Sequence, residues 1–313
     1  FPVGMTTVKN QTSVREFSLL GFSHVPDVLQ DWLFVGVGAA YMVILLGNSL
    51  IIFITLMDAA LHTPMYFFLR NLSFLEICYA SVTTPRMLVN LLVGSKAISI
   101  LGCAAQVYFF HSISECFLLL AMAYDRCIAI CCPLRYTLIM SRSLCLQMVA
   151  VSWAAGSLVS SGHISLVFTL PYCGPNEIDH FFCDIPPVLK LACADTYRSE
   201  TELFILIILL AIVPSILILV FYSQIISTIL KMPSTEGKHK AFSTCSSHLI
   251  VVTLFLGTGG VVYLQPKSSS YVFSLLYTVV TPMFNPIVYS LRNKEVKGAL
   301  GRVIHKMLLS PKM

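Results

Sequence analysis

Charge is scarce in this chain. Asp, Glu, Lys and Arg together make up 11% of its 313 residues, against about 25% in a typical globular protein. A soluble domain of this size would have too few charged side chains to cover its surface. The shortage therefore excludes soluble enzymes, nucleic-acid-binding proteins and disordered chains.

The usual signatures of catalysis are also missing. The sequence contains no glycine-rich phosphate loop ending in Lys-Ser/Thr and no nucleophile elbow of the Gly-x-Ser-x-Gly type. Its eight histidines are scattered, and no two have the spacing of metal ligands on one helix. We therefore expect that the protein is not an enzyme and that it needs no cofactor.

Apolar residues are abundant instead. They make up 57% of the chain, and a charge-free apolar stretch of about eighteen residues or more is a candidate transmembrane helix. Five blocks contain no charged residue: 33–57, 143–176, 203–230, 241–266 and 268–291. With two weaker segments they predict seven spans, numbered one to seven along the chain: 33–57, 64–90, 100–124, 146–168, 203–230, 246–264 and 271–291. The predicted fold is an all-α membrane protein, a bundle of seven transmembrane helices.

The charges outside the spans predict how the chain is oriented in the bilayer. If the N-terminus is extracellular, the cytoplasmic segments carry thirteen basic and four acidic residues, whereas the extracellular segments carry seven basic and nine acidic ones. Membrane proteins usually have their excess of Lys and Arg on the cytoplasmic side. The net charge of +5 therefore indicates a basic face beside anionic lipid, with no nucleic-acid partner.

The N-terminal segment is consistent with this orientation. Asn10 begins the glycosylation sequon Asn-Gln-Thr, which is usable only on the lumenal side. Residues 1–31 lack the basic stretch and apolar core of a cleavable signal peptide, so span one is expected to direct its own insertion. We predict an extracellular segment 1–31, a seven-transmembrane domain 32–291 and a cytoplasmic tail 292–313 with a short amphipathic helix.

Four of the eleven cysteines face the oxidising side in this orientation: Cys103, Cys173, Cys183 and Cys193. Four cysteines allow three pairings, and their positions alone do not choose among them. A bond from Cys103 to the loop at 169–200 would fold that loop over the bundle as a lid.

Five sequence motifs, in register with the spans, resemble those of a known family. They are Gly47-Asn48, 61–69 (LHTPMYFFL), 122–130 (MAYDRCIAI), 240–249 (KAFSTCSSHL) and 282–293 (PMFNPIVYSLRN). The long loop with its spaced cysteines matches as well. Along nearly its whole length the chain resembles the vertebrate odorant receptors of the rhodopsin-like G-protein-coupled receptor superfamily.

The resemblance implies a plasma-membrane receptor with an extracellular N-terminus. Such a receptor binds a small volatile odorant and activates a heterotrimeric G protein of the olfactory stimulatory type, which raises cyclic AMP. The resemblance assigns engagement of the G protein to Arg126, held by Asp125 in the resting state. Tyr222 and Tyr289 would support Arg126 on activation.

The resemblance also implies how the four cysteines pair. Cys103–Cys183 would be the disulfide common to rhodopsin-like receptors, and Cys173–Cys193 would close the second extracellular loop on itself. Cys103–Cys193 is the alternative bond. Either bond of Cys103 ties the loop to span three.

Two acidic residues, Glu76 and Glu115, are predicted to lie deep in the membrane. An ionised carboxylate there costs at least about 2–3 kcal/mol unless it is paired or hydrated. With Asn48 and Asn285 they resemble the polar cluster that binds sodium in related receptors, so one interpretation is a sodium ion that modulates the receptor. The other interpretation is a structural hydrogen-bond network without an ion.

The odorant pocket is expected between spans three, five, six and seven, beneath the lid. Counted from Glu115 and Arg126, the predicted lining is Tyr108, Phe109, Ser112, Ile113, Phe204, Ile205, Ile208, Phe255, Leu256, Thr258, Gly259, Phe273 and Tyr277. At about 25 cal/mol per Å² of apolar surface buried, a small volatile gains only several kcal/mol, which predicts weak, broadly tuned binding of apolar odorants. The interval from Cys103 to Glu115 is shorter than is usual in the family, and counting from Cys103 instead selects Phe110, His111 and Ser114.

Three residues depart from the family pattern. Cys127 replaces the usual Tyr after Asp-Arg, Phe221 replaces the usual Ser before Tyr222, and Leu256 replaces a frequent Tyr in span six. Two other membrane-protein classes are less consistent with the sequence. A transporter or channel would show an inverted repeat or a charged mid-membrane pathway, and a membrane enzyme would show clustered His or Asp ligands.

Overall fold

The computed structural model describes residues 16–23, 25–110, 113–173, 175–264, 271–291 and 294–309. The predicted glycosylation site Asn10 and the predicted pocket residue Ser112 lie outside these residues, as does His111. The α-helices are α1 (Asp27–Met57), α2 (Pro64–Val93), α3 (Ile100–Phe110), α4 (Ser114–Cys131), α5 (Tyr136–Ile139), α6 (Arg142–Phe168), α7 (Ile185–Leu189), α8 (Tyr197–Lys231), α9 (Thr235–Leu264), α10 (Tyr271–Leu275), α11 (Thr281–Leu291) and α12 (Lys294–Leu309). A π-helical turn, Leu276–Val280, joins α10 to α11.

These helices form the seven predicted spans: α1, α2, α3 with α4, α6, α8, α9, and α10 through α11. In the described part of the chain, five helices are each long and apolar enough to cross a membrane. The helix α2 is also long, with 30 residues, but it is not among these five helices. It carries three charged side chains. One of them, Arg70, is satisfied by the neighbouring span, because its guanidinium donates a 2.6 Å hydrogen bond to the backbone oxygen of Thr55 in α1.

The spans are longer than the hydropathy pattern predicts. Span five begins at Tyr197 rather than 203, and span six begins at Thr235 rather than 246. Charged residues such as Arg198 and Lys238 lie in these extensions. These charged residues interrupt the apolar run, but the helix continues through them because Arg and Lys are good helix formers.

Span three consists of two helical segments, with α3 ending at Phe110 and α4 beginning at Ser114. Ser114 is fully buried against Gly156 of α6. A Cβ at position 156 would lie 1.9 Å from the Ser114 hydroxyl, so only glycine permits this approach.

A small three-stranded sheet, which the hydropathy pattern does not predict, covers one end of the bundle. Strand β1 (Glu16–Leu19) pairs antiparallel with β2 (Ala97–Ser99) and parallel with β3 (Glu177–Ile178). Phe17 and Leu19 are buried in a cluster that includes Cys103 and Cys183. The N-terminal strand is therefore an integral part of the lid. We call this the disulfide end, and the opposite end the Arg126 end.

At the Arg126 end the main hydrophobic core joins the inner halves of the spans, with Leu118, Leu119 and Met122 of α4 fully buried. The helix α12 packs on this end through one apolar face, Val296, Ala299 and Val303. Its opposite, exposed side carries Lys297, Arg302 and Lys306. This helix is amphipathic and positions the C-terminal tail beside span one.

Candidate functional site

The loop after span three binds the acidic residue of the Asp-Arg pair. Asp125 is fully buried, and its Oδ1 accepts a 2.8 Å hydrogen bond from the hydroxyl of Tyr136, the first residue of α5. Among the described residues no ion pair within 4 Å joins Asp125 to Arg126. The side-chain hydrogen bond that holds Asp125 in this structure comes from Tyr136. Consecutive residues on a helix point about 100° apart, which directs Asp125 to the loop and Arg126 to another side of α4.

Arg126 lies beside a polar group formed by spans five, six and seven. The Tyr222 hydroxyl is 2.6 Å from Nδ1 of His248, and the two rings are stacked. Tyr289 is buried, and its hydroxyl has no hydrogen-bond partner among the described residues. Arg126 lies within electrostatic range of all three side chains. The structure thus brings together the expected coupling residues Arg126, Tyr222 and Tyr289.

His248 belongs to this group, although the sequence analysis assigned it no role. It is fully buried in α9, and it contributes the nitrogen that binds Tyr222. A histidine near the end of the motif 240–249, just before an apolar run, was the available signal. Its partner lies 26 residues away in another span, which is why the motif alone did not reveal the contact.

The mid-membrane polar cluster assembles around Glu76. Asn48 donates to one carboxylate oxygen at 3.3 Å and Asn285 donates to the other, and all three side chains are buried. Glu115 lies across a small cavity of about 20 Å³ that Glu76 also lines. A cavity of this size holds about one water molecule or a small ion. The complete lining is Leu75, Glu76, Tyr79, Phe109, Glu115, Phe255, Tyr277, Thr281 and Pro282.

Some of the predicted pocket residues meet at this cavity. Phe109, Phe255 and Tyr277 line it, and a Cβ at Gly259 would lie 3.3 Å from the Tyr277 ring. Tyr108 packs edge-on against Phe109. Four other predicted residues do not line this cavity. Ile113 and Leu256 pack against the main core, Ile208 is half-buried on α8, and the Thr258 hydroxyl donates to the backbone oxygen of Leu254.

Three predicted pocket residues were assigned to the wrong face. Phe204 and Ile205 are 57% and 52% exposed on span five, and Phe273 is 38% exposed on span seven. Span five is apolar on every side, so its sequence contains no periodicity that separates the inner face from the lipid-facing one. The pocket prediction is corrected at these positions.

The lid is held by two disulfides, Cys103–Cys183 and Cys173–Cys193, with Cα separations of 5.3 and 5.9 Å. The alternative bond Cys103–Cys193 is not formed. Next to the first bond, the backbone N–H of Cys183 donates to Oε1 of Gln106 in α3 at 2.9 Å. These contacts fasten the lid to span three.

A histidine fastens the same lid to span seven. Nδ1 of His180 accepts from the backbone N–H of Phe182 at 3.4 Å, so its Nε2 carries the proton that reaches Ser274 Oγ at 3.3 Å. The ring packs between Phe181 and Phe182. Burial lowers the pKa of His180 and keeps the imidazole neutral.

Comparison with known proteins identifies the family. The family model for olfactory receptors matches residues 37–309. Human olfactory receptor 10A5 is 52% identical over 96% of this chain and 97% of its own length, and human olfactory receptor 10A7 is 54% identical over the same shares. The crystal structure of squid rhodopsin superposes with a TM-score of 0.70 at 16% identity, covering 92% of this chain and 89% of that one. The chain is therefore a member of the olfactory receptor family, with the seven-helix fold of rhodopsin-like receptors, and it is a multi-pass membrane receptor and not an enzyme.

Proposed function

We propose that this receptor lies in the plasma membrane with its N-terminus outside, binds a small, mostly apolar odorant, and activates an olfactory-type stimulatory G protein that raises cyclic AMP. The observation that carries the proposal is its two-ended architecture. A disulfide-tied lid covers one end, and the Arg126–Tyr222–His248–Tyr289 group lies at the other. A ligand bound beneath the lid can thus act through the spans on the far end.

The chemistry of the cysteines supports the proposed orientation. Disulfides form in oxidising compartments, and free thiols persist in the reducing cytoplasm. Both disulfides lie at the lid, whereas the Arg126 end carries the free thiols Cys127, Cys131, Cys132, Cys145 and Cys245. The basic segments also lie at the Arg126 end, beside the anionic inner leaflet.

The surface around Arg126 supports binding of a protein there. Leu134 and Leu138 are 99% and 79% exposed on the short loop that also holds Tyr136. The loop and its flanks carry Arg135 and Arg142. An apolar patch with a basic rim fits a partner that offers an apolar groove and acidic side chains, and we assign this role to the G protein.

The cluster at Glu76 suits a sodium ion. Its side chains offer carboxylate and amide oxygens, which are the ligands that hard cations prefer. Oδ1 of Asn285 is buried without a hydrogen-bond partner among the described residues. We propose that Glu76, Glu115, Asn48 and Asn285 hold sodium when it is bound, and that the ion balances the charge of one of the two carboxylates.

The test of function is a cyclic AMP assay in cells that express the receptor with or without the olfactory stimulatory G protein. We expect a panel of apolar volatiles to include agonists whose signal requires that G protein. Membrane current or solute flux in the absence of G protein would instead indicate a channel or transporter. Exposure of a C-terminal epitope on intact cells would contradict the orientation.

A further inference from the structure

Three thiols lie within six residues at the Arg126 end of span three. Cys127 and Cys131 are four residues apart on α4, so they share one helix face, and their sulfurs are 4.0 Å apart. Cys132 follows the helix and is exposed. Cys127 takes the place of the Tyr that is usual in the family, and this places a thiol beside Cys131.

The two thiols face two polar side chains of span five. The Cys127 thiol donates to Oε1 of Gln224 at 3.3 Å, and the Cys131 sulfur lies 3.2 Å from the Thr228 hydroxyl. Gln224 and Thr228 are also four residues apart, so the contacts form two rungs, one helical turn apart. We call these four residues the thiol ladder. It connects α4 to α8 directly beside Arg126.

A bond between the two sulfurs requires the last turn of α4 to move. Regular helix geometry places Cα atoms four residues apart at about 6 Å, within the range of about 4.4–6.8 Å for disulfides, but it places the Cβ atoms about 5–6 Å apart, beyond the roughly 3.5–4.5 Å that a disulfide spans. Cys131 is the last residue of α4, and Cys132 has left the helix with φ −134° and ψ 53°. The final turn can therefore adjust to bring the sulfurs together without disturbing the rest of the span.

We propose that Cys127 and Cys131 are a site of reversible oxidation by peroxide. Cys131, which is partly exposed, attacks the peroxide: an S–O bond forms, the O–O bond breaks, and one molecule of water leaves. The Cys127 sulfur then attacks this sulfenic acid. The S–S bond forms, the S–O bond breaks, and the hydroxide leaves with the thiol proton as a second water. A dithiol reductant reverses the reaction by exchange.

Oxidation would weaken the link between spans three and five. Cys127 loses the proton that it donates to Gln224, and Cys131 can then only accept from Thr228. This proposal rests on the proposed function in one respect: the proposed orientation places the thiols in the cytoplasm. The chemistry itself needs neither an odorant nor a G protein.

The test uses the full-length receptor, purified in detergent, treated with hydrogen peroxide, alkylated and digested with trypsin. Residues 127–135 form one tryptic peptide with all three cysteines. We expect a fraction of this peptide to carry one alkyl group, on Cys132, and to show a loss of about 2 Da, the mass of two hydrogens, relative to the singly alkylated dithiol; dithiothreitol should restore the two thiols. The loss should persist in Cys132→Ser and vanish in Cys127→Ser and in Cys131→Ser. Persistence in Cys127→Ser, disappearance in Cys132→Ser, or oxygen-adduct products alone would overturn the proposal.

A second measurement tests the ladder. The oxidised receptor should unfold at a lower temperature than the reduced one, because the Gln224 rung is lost. Cys127→Ser is the matched control, since its hydroxyl can still donate to Gln224 but cannot form a disulfide, and peroxide should leave its unfolding temperature unchanged. An equal fall in that variant would contradict the assignment to this pair. Neither experiment measures signalling. A failed cyclic AMP assay would therefore contradict the proposed function without contradicting the oxidation of Cys127 and Cys131.

Discussion

The hydroxyl of Tyr136 donates a 2.8 Å hydrogen bond to the buried carboxylate of Asp125. This bond joins the loop after span three to the inner end of the helix that carries Arg126. Because Oδ2 of Asp125 has no hydrogen-bond partner among the described residues, Tyr136 is its principal donor.

Tyr136→Phe should therefore destabilise the receptor. The substitution leaves a buried carboxylate without this donor, at a cost of about 1–3 kcal/mol. A lower midpoint in thermal unfolding of the detergent-solubilised protein is the expected result. Tyr197→Phe is the matched control, because Tyr197 is 75% exposed and loses no buried contact. Equal midpoints for the two variants would show that the Asp125 bond contributes nothing.

Arg126→Ala should abolish agonist-dependent cyclic AMP while leaving the receptor at the cell surface. Arg126 supplies the only described cation of the group that contains Tyr222, His248 and Tyr289, and an arginine offers five donors to an incoming backbone. Surface labelling and cyclic AMP would be measured on the same cells. The control is Arg198→Ala, at the disulfide end, where the side chain is 90% exposed. Full signalling by Arg126→Ala would remove this residue from the coupling mechanism.

The seven spans could be predicted because hydropathy is a property of the chain itself. The side of each span that faces the odorant could not be predicted from hydropathy, as Phe204 and Ile205 demonstrate. They belong to a span that is apolar all round, and lipid and protein interior present the same chemical environment to it.

The contacts of the polar cluster were predictable because polar side chains are conspicuous within apolar spans. Asn48 and Asn285 belong to two of the motifs, Glu76 is an acidic residue within span two, and the three side chains meet. The Tyr222–His248 bond depends on how two spans are rotated relative to each other, which local sequence does not encode. The strand Glu16–Leu19 of the lid could not be predicted from local sequence either, because a four-residue strand is stabilised only by its pairing with distant segments.

Cys103→Ser should prevent the receptor from reaching the cell surface. The Cys103–Cys183 bond closes a loop of 80 residues, and loss of such a bond typically costs about 2–5 kcal/mol. Flow cytometry of an N-terminal epitope on intact cells measures the effect. Cys78→Ser is the control, because Cys78 is a free thiol in α2. Wild-type surface levels for Cys103→Ser would show that the lid folds without this bond.

Glu76→Gln should remove any stabilisation by sodium. If sodium binds at the Glu76 cluster, the wild-type receptor unfolds at a higher temperature in sodium chloride than in choline chloride at equal ionic strength, and the neutral amide loses most of this difference. Glu202→Gln is the control, since Glu202 is exposed and pairs only with Arg198 among the described residues. A wild-type receptor that is indifferent to sodium would support the alternative of an ion-free hydrogen-bond network.

Acidification should release the lid from span seven through His180. Burial lowers the pKa of this imidazole in the folded receptor, an effect that Asp184 and Asp179 on the same loop partly oppose. In the unfolded chain the pKa is about 6.5, so below that pH the unfolded state binds a proton that the folded state resists, and stability falls as pH falls. His180→Gln keeps an N–H for Ser274 but cannot be protonated, so its unfolding temperature should fall less between pH 7 and pH 5 than that of the wild type. Matching pH profiles for the two proteins would show that His180 contributes nothing to the acid sensitivity of the lid.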